Sequence, residues 1–470
     1  MHPKLLNTTL LLLALAGASP AADLVTPAAV ADTTIRIARH TYGEALAAAK
    51  SLQSAIDAFT AAPSEAGLAA ARSAWRRAHD AYSPTEVFRF VNGPIDHAEH
   101  GVETRINAWP LDEQWLDATI DQPGAGLVGA TAPITAELLR EANEQGGEKN
   151  IATGFHAIEF LLWGQDRDPA GPGARPVGDF TTAAHAERRR QTLRILGALL
   201  VEDLTTVHAA WADGAAHPAA LRSAPATAVE QAFIGMTMLI GDELSGERMA
   251  VAWETQDQEE EQSCFSDHTL ANHLGNHAGA AMLWSGTRGP VQGPGLRALV
   301  SAADPAGAAR LDASIAAAGA ALAAIPAPFD QAILGGNDAP GRIAVLRAIE
   351  ALEEQAEDTV SAAKAVGVAV EFGANPNNAI VGFGEMRTLA AQVAAGDAQR
   401  LVGELDQRWL RHESAVRGVD PILYKTTESA LQALRSAAVR ARTPDPAAVA
   451  AAVATLDARL ADCVAKLKQE

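Results

Sequence analysis

The chain has 470 residues, with 57 Asp and Glu against 37 Lys and Arg, for a formal net charge of −20. That excess argues against nucleic acid or an anionic membrane surface as partner, since both are held by basic patches, and it suits a solvated surface or the attraction of cations. Hydrophobic residues make up 48% and aromatics 5%, and the abundance of alanine with few β-branched runs favours helix over sheet.

In chain order, Lys4, the apolar run Leu5 to Ala16 and the small residues Ser19-Pro20-Ala21 have the layout of a secretory signal peptide cleaved near Ala21. The run is shorter than the roughly 20 residues needed to span a bilayer. The alanine-rich tracts at 311–326 and 445–461 are interrupted by Asp, Pro or Arg. No cysteine stands at the cleavage point to carry a lipid, because the two cysteines are Cys264 and Cys463. The expectation is a periplasmic protein released without a membrane anchor. In an oxidising compartment the two cysteines could pair, although spacing does not decide it.

From Leu68 to Tyr82, apolar or small residues recur at Leu68, Ala71, Ala74, Trp75, Ala78 and Tyr82, which predicts an amphipathic helix ended by Ser83-Pro84. Shorter helices fit 112–120, 132–146 and 149–163, followed by a Pro/Gly-rich loop from Gly164 to Gly178 and a long helix at 180–213. Ala215 to Thr227, with Pro218 and Pro225, is the best boundary. Beyond it Val229 to Trp253 reads as a long helix with Phe233, Met236, Ile240 and Leu244 on one face. The acidic run Asp257 to Glu261 reads as solvated surface, and further helices fit 267–285, 305–323, 340–367, 384–417, 422–441 and 446–469. Long helices joined by short loops form bundles. The predicted fold is therefore all-α: a signal peptide (1–21), two packed antiparallel bundles (22–214 and 226–370) and a C-terminal helical extension (371–470).

Several residue groups could carry chemistry. In Gly154-Phe-His156-Ala-Ile-Glu159 the His and Glu are three apart and share a helical face, so they can converge on one ion or water. With 13 His and 57 acidic residues such a pair also arises by chance, and the bland alternative is a hydrogen-bonded core pair. Its setting, an apolar run ending Phe160-Leu-Leu-Trp163, makes a partner or ligand necessary. Glu86 and Arg89 share a face ahead of Gly93-Pro-Ile-Asp96, and a simple ion pair would explain them. In Gly241-Asp-Glu-Leu-Ser-Gly-Glu-Arg248 two glycines, each costing about 1 kcal/mol in a helix, suggest close approach of a backbone or ligand. Glu243, Glu247 and Arg248 stand beside them. In Ser263-Cys-Phe-Ser-Asp267, Ser266 or Asp267 can cap the next helix, which carries His273 and His277 with His268 just upstream. Each group sets polar side chains beside apolar neighbours. One shared polar pocket between the bundles, formed by His156, Glu159, Glu86, Arg89, Asp96, Glu243, Glu247, Arg248, Ser266 and Asp267, would satisfy them jointly.

These segments resemble the imelysin family. The resemblance rests on Thr153 to Asp166, Gly171 to Pro176, Ala74-Trp75, Thr85 to Phe90 with Gly93 to Asp96, Ile106 to Glu113, Gly241 to Met249, Cys264 to Asp267 and Pro328 to Ala332, in order over roughly residues 30–370. It implies two packed helical bundles with a site at their interface, export, and association with iron uptake or iron-regulated expression. It also implies a metallopeptidase classification through the Gly-x-His-x-x-Glu motif, filled by Gly154, His156 and Glu159. This chain departs from the family pattern at His268 and Leu270 after Phe-Ser-Asp, and at His97 and His100. The tail beyond about 375 lies outside the match. Its Trp409-Leu-Arg-His-Glu413 and Glu428 bear a faint resemblance to periplasmic domains of iron permeases.

A catalytic zinc needs three protein ligands, an open position and a general base, and the motif supplies one His and one Glu. No catalytic residue is assigned. The expected function is a periplasmic, metal-binding accessory of iron uptake, with His156 and Glu159 as ligands, iron or zinc as the ion, and iron-uptake components as partners. A zinc metallopeptidase and a polysaccharide- or protein-binding module are the alternatives.

Overall fold

The first long helix, α1 (Pro27–Ala61), starts at Thr26, whose side chain accepts the Ala29 N–H, with Pro27 in the first turn where its missing N–H costs nothing. The computed structural model describes residues 25–168, 170–370, 376–417, 419–441 and 443–469, so the signal segment lies outside the described residues. Helix α1 buries Ile35, Ala38, Tyr42, Ala45, Ala49, Leu52, Ile56 and Phe59 along one stripe, against α2 (Glu65–Tyr82) and α4 (Ala186–Ala210). Helix α2 buries the predicted face, Leu68 to Tyr82. Helix α3 (Gly154–Trp163) is buried on every side, beneath α2 and α4. The expected helices at 112–120 and 132–146 shrink to Glu113–Leu116 and Ala136–Ala142.

Helix α5 (Pro225–Thr237) runs without a break into a π-wound segment, Met238–Ala250, and a last turn, Val251–Thr255. With α6 (Thr269–Ser285), α7 (Pro305–Ala323) and α8 (Pro340–Ala365) it makes the second layer of helices. The boundary segment carries a short helix, Ala216–Ser223, that buries Pro218 and Leu221. One continuous apolar cluster, from Val30 to Ala363, runs through both layers. The two-residue hairpin Thr287–Arg288 with Val291–Gln292 is the strand structure among the described residues.

A separate core fills the C-terminal unit: α9 (Pro376–Ala390), α10 (Ala398–Arg417), α11 (Pro421–Arg435) and α12 (Pro446–Leu467). Phe383, Met386, Leu405, Trp409, Leu434, Leu456 and Leu460 are its centre. The single helix expected at 384–417 is broken at 391–397, which lets α9 and α10 fold back on each other. No helix among the described residues is long and apolar enough to cross a membrane.

Cys264 and Cys463 do not pair. Each is buried in a different core, and Cys463 Sγ lies 3.4 Å from the Thr427 hydroxyl. Burial raises both thiols above the ordinary range, Cys463 to about 11, so neither is a ready nucleophile. Aromatic disulfide reagents should therefore label neither thiol in the native protein and both after denaturation, and reductant should leave the melting temperature unchanged.

Candidate functional site

Proline 84 ends α2, and the chain continues as a buried 3-10 segment, Ser83–Phe88, that carries Glu86 into the interior. It fits because α5 presents Gly235 there; a Cβ at that position would collide with the Val87 carbonyl. From the other side, the π-wound segment delivers Glu243 and Arg248. The Arg248 guanidinium is 1% exposed and all its nitrogens are engaged. Nε donates to Glu243 Oε1 at 3.0 Å and Nη2 to the same oxygen at 2.6 Å and to Glu86 Oε2. Nη1 donates to Gln262 Oε1 at 3.1 Å and to Asn276 Oδ1 at 2.7 Å. Arg89 adds a second cation, with Nη1 at 3.3 Å from Glu243 and 3.5 Å from Glu86, and Nε at 3.7 Å from Glu103. Burial alone would raise Glu243, but Arg248 and Arg89 hold its carboxyl down at about 2. Glu103 lacks that double support, and burial pushes it up to about 7 against the pull of Arg89.

The network continues through neutral groups. Asn107 Nδ2 donates to Glu86 Oε1, and Asn107 Oδ1 lies 2.9 Å from His79 Nε2. His79 Nδ1 is 3.0 Å from Asn272 Nδ2, so Nδ1 accepts and Nε2–H donates. Burial keeps His79 well below its ordinary pKa, as a neutral ring with that tautomer requires. The His156 ring stands edge-on to His79, with centroids 5.3 Å apart.

His156 and Glu159 form the expected pair, with Nδ1 and Oε2 at 2.8 Å, both fully buried. Glycine at 154 has a physical reason: its φ is +86°, and a Cβ would sit 2.5 Å from the Ile106 carbonyl oxygen. Glu159 Oε1 accepts the Ser266 N–H at 3.0 Å and the Ser266 hydroxyl at 2.6 Å. The motif therefore clamps the Ser263–Asp267 loop onto α3. His156 Nε2 has no hydrogen-bond partner. Among the described residues no third His, Cys, Asp or Glu completes a ligand set around this pair; the one such set is Glu261, Asp267 and Asp330.

The remaining predicted residues stand outside the Arg248 network, although Asp96 and Glu247 line one cavity with Arg89 and Glu243. Asp96 closes its own loop, accepting the Val91 and Gly93 N–H groups at 3.1 and 2.7 Å. Glu247 pairs with Arg417 of the C-terminal unit, across Gly246, where any Cβ would meet that guanidinium. The tight approach at this glycine is thus to the extension. Neither Ser266 nor Asp267 caps α6, whose N-cap position is His268 and which has no side-chain cap. The three histidines scatter: His268 Nε2 to Asp80 at 2.7 Å, His277 Nε2 to Gln355 at 3.1 Å, and His273 against the Phe329 ring. The partners missed from sequence are His79, Asn107, Gln262, Asn272 and Asn276, neutral residues with no motif spacing. The hydrogen-bonding needs of a buried Glu86 and Arg248 were the available signal.

Between this body and the C-terminal unit lies a cavity of about 720 Å³. The body lines it with Arg89, Glu103, Glu148 and Glu243, and the extension with Trp409, Glu413, Tyr424 and Glu428. Burial first, then Glu148, raises Glu428 to about 8, and Glu413 is raised by burial and by Glu428.

Fold and site together describe a double-layered helical protein that gathers its charged residues at the junction of its layers. A family model for imelysin matches residues 38–359, and the chain belongs to the imelysin family. It is 29% identical over 325 residues to iron-regulated protein A of Synechococcus elongatus, covering 66% of this chain and 78% of that protein. Two crystal structures share the fold. One, from Parabacteroides distasonis and described as an iron-regulated protein A precursor, has a TM-score of 0.59 at 18% identity, covering 75% of this chain and 97% of that one. The other, an imelysin-like protein from Psychrobacter arcticum, has a TM-score of 0.54 at 16% identity, covering 74% and 98%.

Removing Arg248 strands two buried carboxylates. Arg248→Ala should cost about 3–5 kcal/mol in urea unfolding at pH 7, whereas Arg36→Ala on the surface should cost about 0.5 kcal/mol or less. The depressed Glu243 contributes stability that is present above its unfolded pKa and is lost as pH falls toward 2.

Proposed function

We propose that this protein is an extracytoplasmic accessory of iron handling that captures a metal cation in the cavity between the imelysin body and the C-terminal unit. The observation that carries the reading is the lining. Among the described residues, eleven carboxylates face this space against five Arg and Lys side chains. Arg435 and Arg440 are already engaged by Asp406 and Glu144. Glu413 and Glu428 are buried carboxyls whose protons a cation would displace, with the Tyr424 hydroxyl 3.5 Å from Glu428 Oε1. Carboxylates and a phenol are hard oxygen donors, the kind that suits iron. The iron-regulated naming of the relatives supports the choice of metal. His156 and Glu159 serve this reading as the clamp that fixes the body. Against hydrolysis stands the engagement of Glu159 on both oxygens, which leaves it poorly placed to activate water.

The test is equilibrium dialysis of the metal-stripped, untagged chain against ferrous iron without oxygen and against ferric citrate. Binding near one ion per chain is expected, weakened at least tenfold by Glu413→Gln with Glu428→Gln. Absence of binding in both iron forms sinks the proposal. Chelator-sensitive cleavage of a denatured protein, abolished by Glu159→Gln, would put the metallopeptidase reading in its place.

Protons compete with the ion for the raised carboxyls. Affinity should therefore strengthen as pH rises from 6 to 8.5, through about 7 for Glu103 and about 8 for Glu428. For the stripped protein the sign is opposite. A carboxyl whose folded pKa exceeds its unfolded value destabilises the fold as it ionises, so stability should fall over the same range and be restored by the ion.

A further inference from the structure

At the same Ser263–Asp267 loop that Glu159 clamps, three carboxylates converge. Arg76, bonded to the Ser266 carbonyl at 3.0 Å, is the cation that acts on Asp267, and it makes no hydrogen bond or ion pair with Glu261 or Asp330. Glu261 ends the acidic stretch before the loop, Asp267 ends the loop, and Asp330 lies in the short Phe329–Ala332 turn before α8. One oxygen from each lies within 4.8 Å of the other two. Oxygens bound to one ion at about 2.4 Å can be no more than about 4.8 Å apart, so a single ion can reach all three.

The independent sign of a ligand is the state of these side chains. Glu261 is 1% exposed, and no protein donor with hydrogen-bond geometry reaches either of its oxygens. The nearby Thr269 hydroxyl instead accepts the Ser263 N–H at 2.9 Å. Asp330 is fully buried, with Oδ2 held by the side-chain amides of Gln258 at 2.5 Å and Gln331 at 2.9 Å, and Oδ1 has no partner. Asp267 Oδ1 also has none, and its backbone adopts φ +53°, in the left-handed region. Two amides thus orient Asp330 from outside the cluster, as second-layer groups orient metal ligands, while the free oxygens meet at its centre. Buried carboxylates without donors are costly, and a cation is the economical remedy.

We propose that Glu261, Asp267 and Asp330 bind a hard divalent cation of the calcium or manganese class, separate from the iron cavity, which pins the Ser263–Asp267 loop to the base of α8. The donor set is all oxygen, with no sulfur or imidazole, which disfavours zinc and copper. Six or more ligands around calcium leave room for water on the half-buried Asp267 side.

The test uses the full chain stripped with chelator, with Ca²⁺ and Mn²⁺ as probes in separate thermal melts and calorimetric titrations. The expected result is one ion per chain and a rise in melting temperature on the order of 5 °C at saturation. Glu261→Gln makes no hydrogen bond worse, so it should fold and melt no lower than the stripped parent while losing the response. Asp267→Asn should weaken binding at least tenfold. Glu413→Gln with Glu428→Gln should leave the response intact, which separates this site from the cavity. The inference is overturned if neither ion binds or shifts the melt, or if the response survives in Glu261→Gln and Asp267→Asn. It is equally overturned if only the cavity variants lose the response.

Discussion

Everything in the body is arranged around the Arg248 guanidinium. Its donors bind groups on four separate pieces of chain: the 3-10 segment after α2 through Glu86, its own π-wound segment through Glu243, the loop before α6 through Gln262, and α6 through Asn276. A buried guanidinium with one donor unfilled is expensive, and one removed altogether leaves carboxylates unpaired. Neither layer of helices can therefore slide by a turn against the other without breaking a charged contact. Apolar packing supplies the bulk attraction but is tolerant of such slips; the ion network is what selects one register.

The unusual winding of the segment before α6 follows from the same demand. In an α-helix, residues three or four apart share a face, so Glu243 would meet Glu247. With i→i+5 winding the pair that meets is Glu243 and Arg248, five apart and hydrogen-bonded. Glu247 is thereby released to reach Arg417. π-Turns are rare and concentrate at functional positions, and here one converts a repulsive neighbour into an attractive one.

Much of the helical layout was legible because α2, α5 to α8 and α12 carry apolar stripes with proline or glycine at their ends. Helix α1 was not read, because its stripe is diluted by alanine and threonine, residues that fit either face. The motif residues were found, but not all their relations. Glu86, Arg89, Glu243 and Arg248 meet as expected, and Ser266 meets Glu159. Glu247 lines the cavity with Glu243 but faces Arg417 and not Arg248, because winding decides which side of a helix a residue faces. Asp257 to Glu261 reads as a charged surface, and Asp257 is exposed, yet Glu261 is buried. Nothing local to the run marks its last member as different, since that depends on Asp330, 69 positions away. Long-range neutral partners such as Asn107 and His79 are equally silent in a single sequence.

The C-terminal unit has its own core and touches the body through charged contacts: Arg417 with Glu247, Arg435 and Arg440 with Glu144, and Gln399 with the Glu99 carbonyl. A chain made of the body alone would present Arg89 and Glu103 on an open concave face. With the unit in place the groove becomes a chamber, and its door is a folded object and not a loop. Opening it breaks ion pairs but leaves both cores intact. Such contacts weaken as salt screens them, so the rate at which the chamber opens would rise with the ionic strength around the protein.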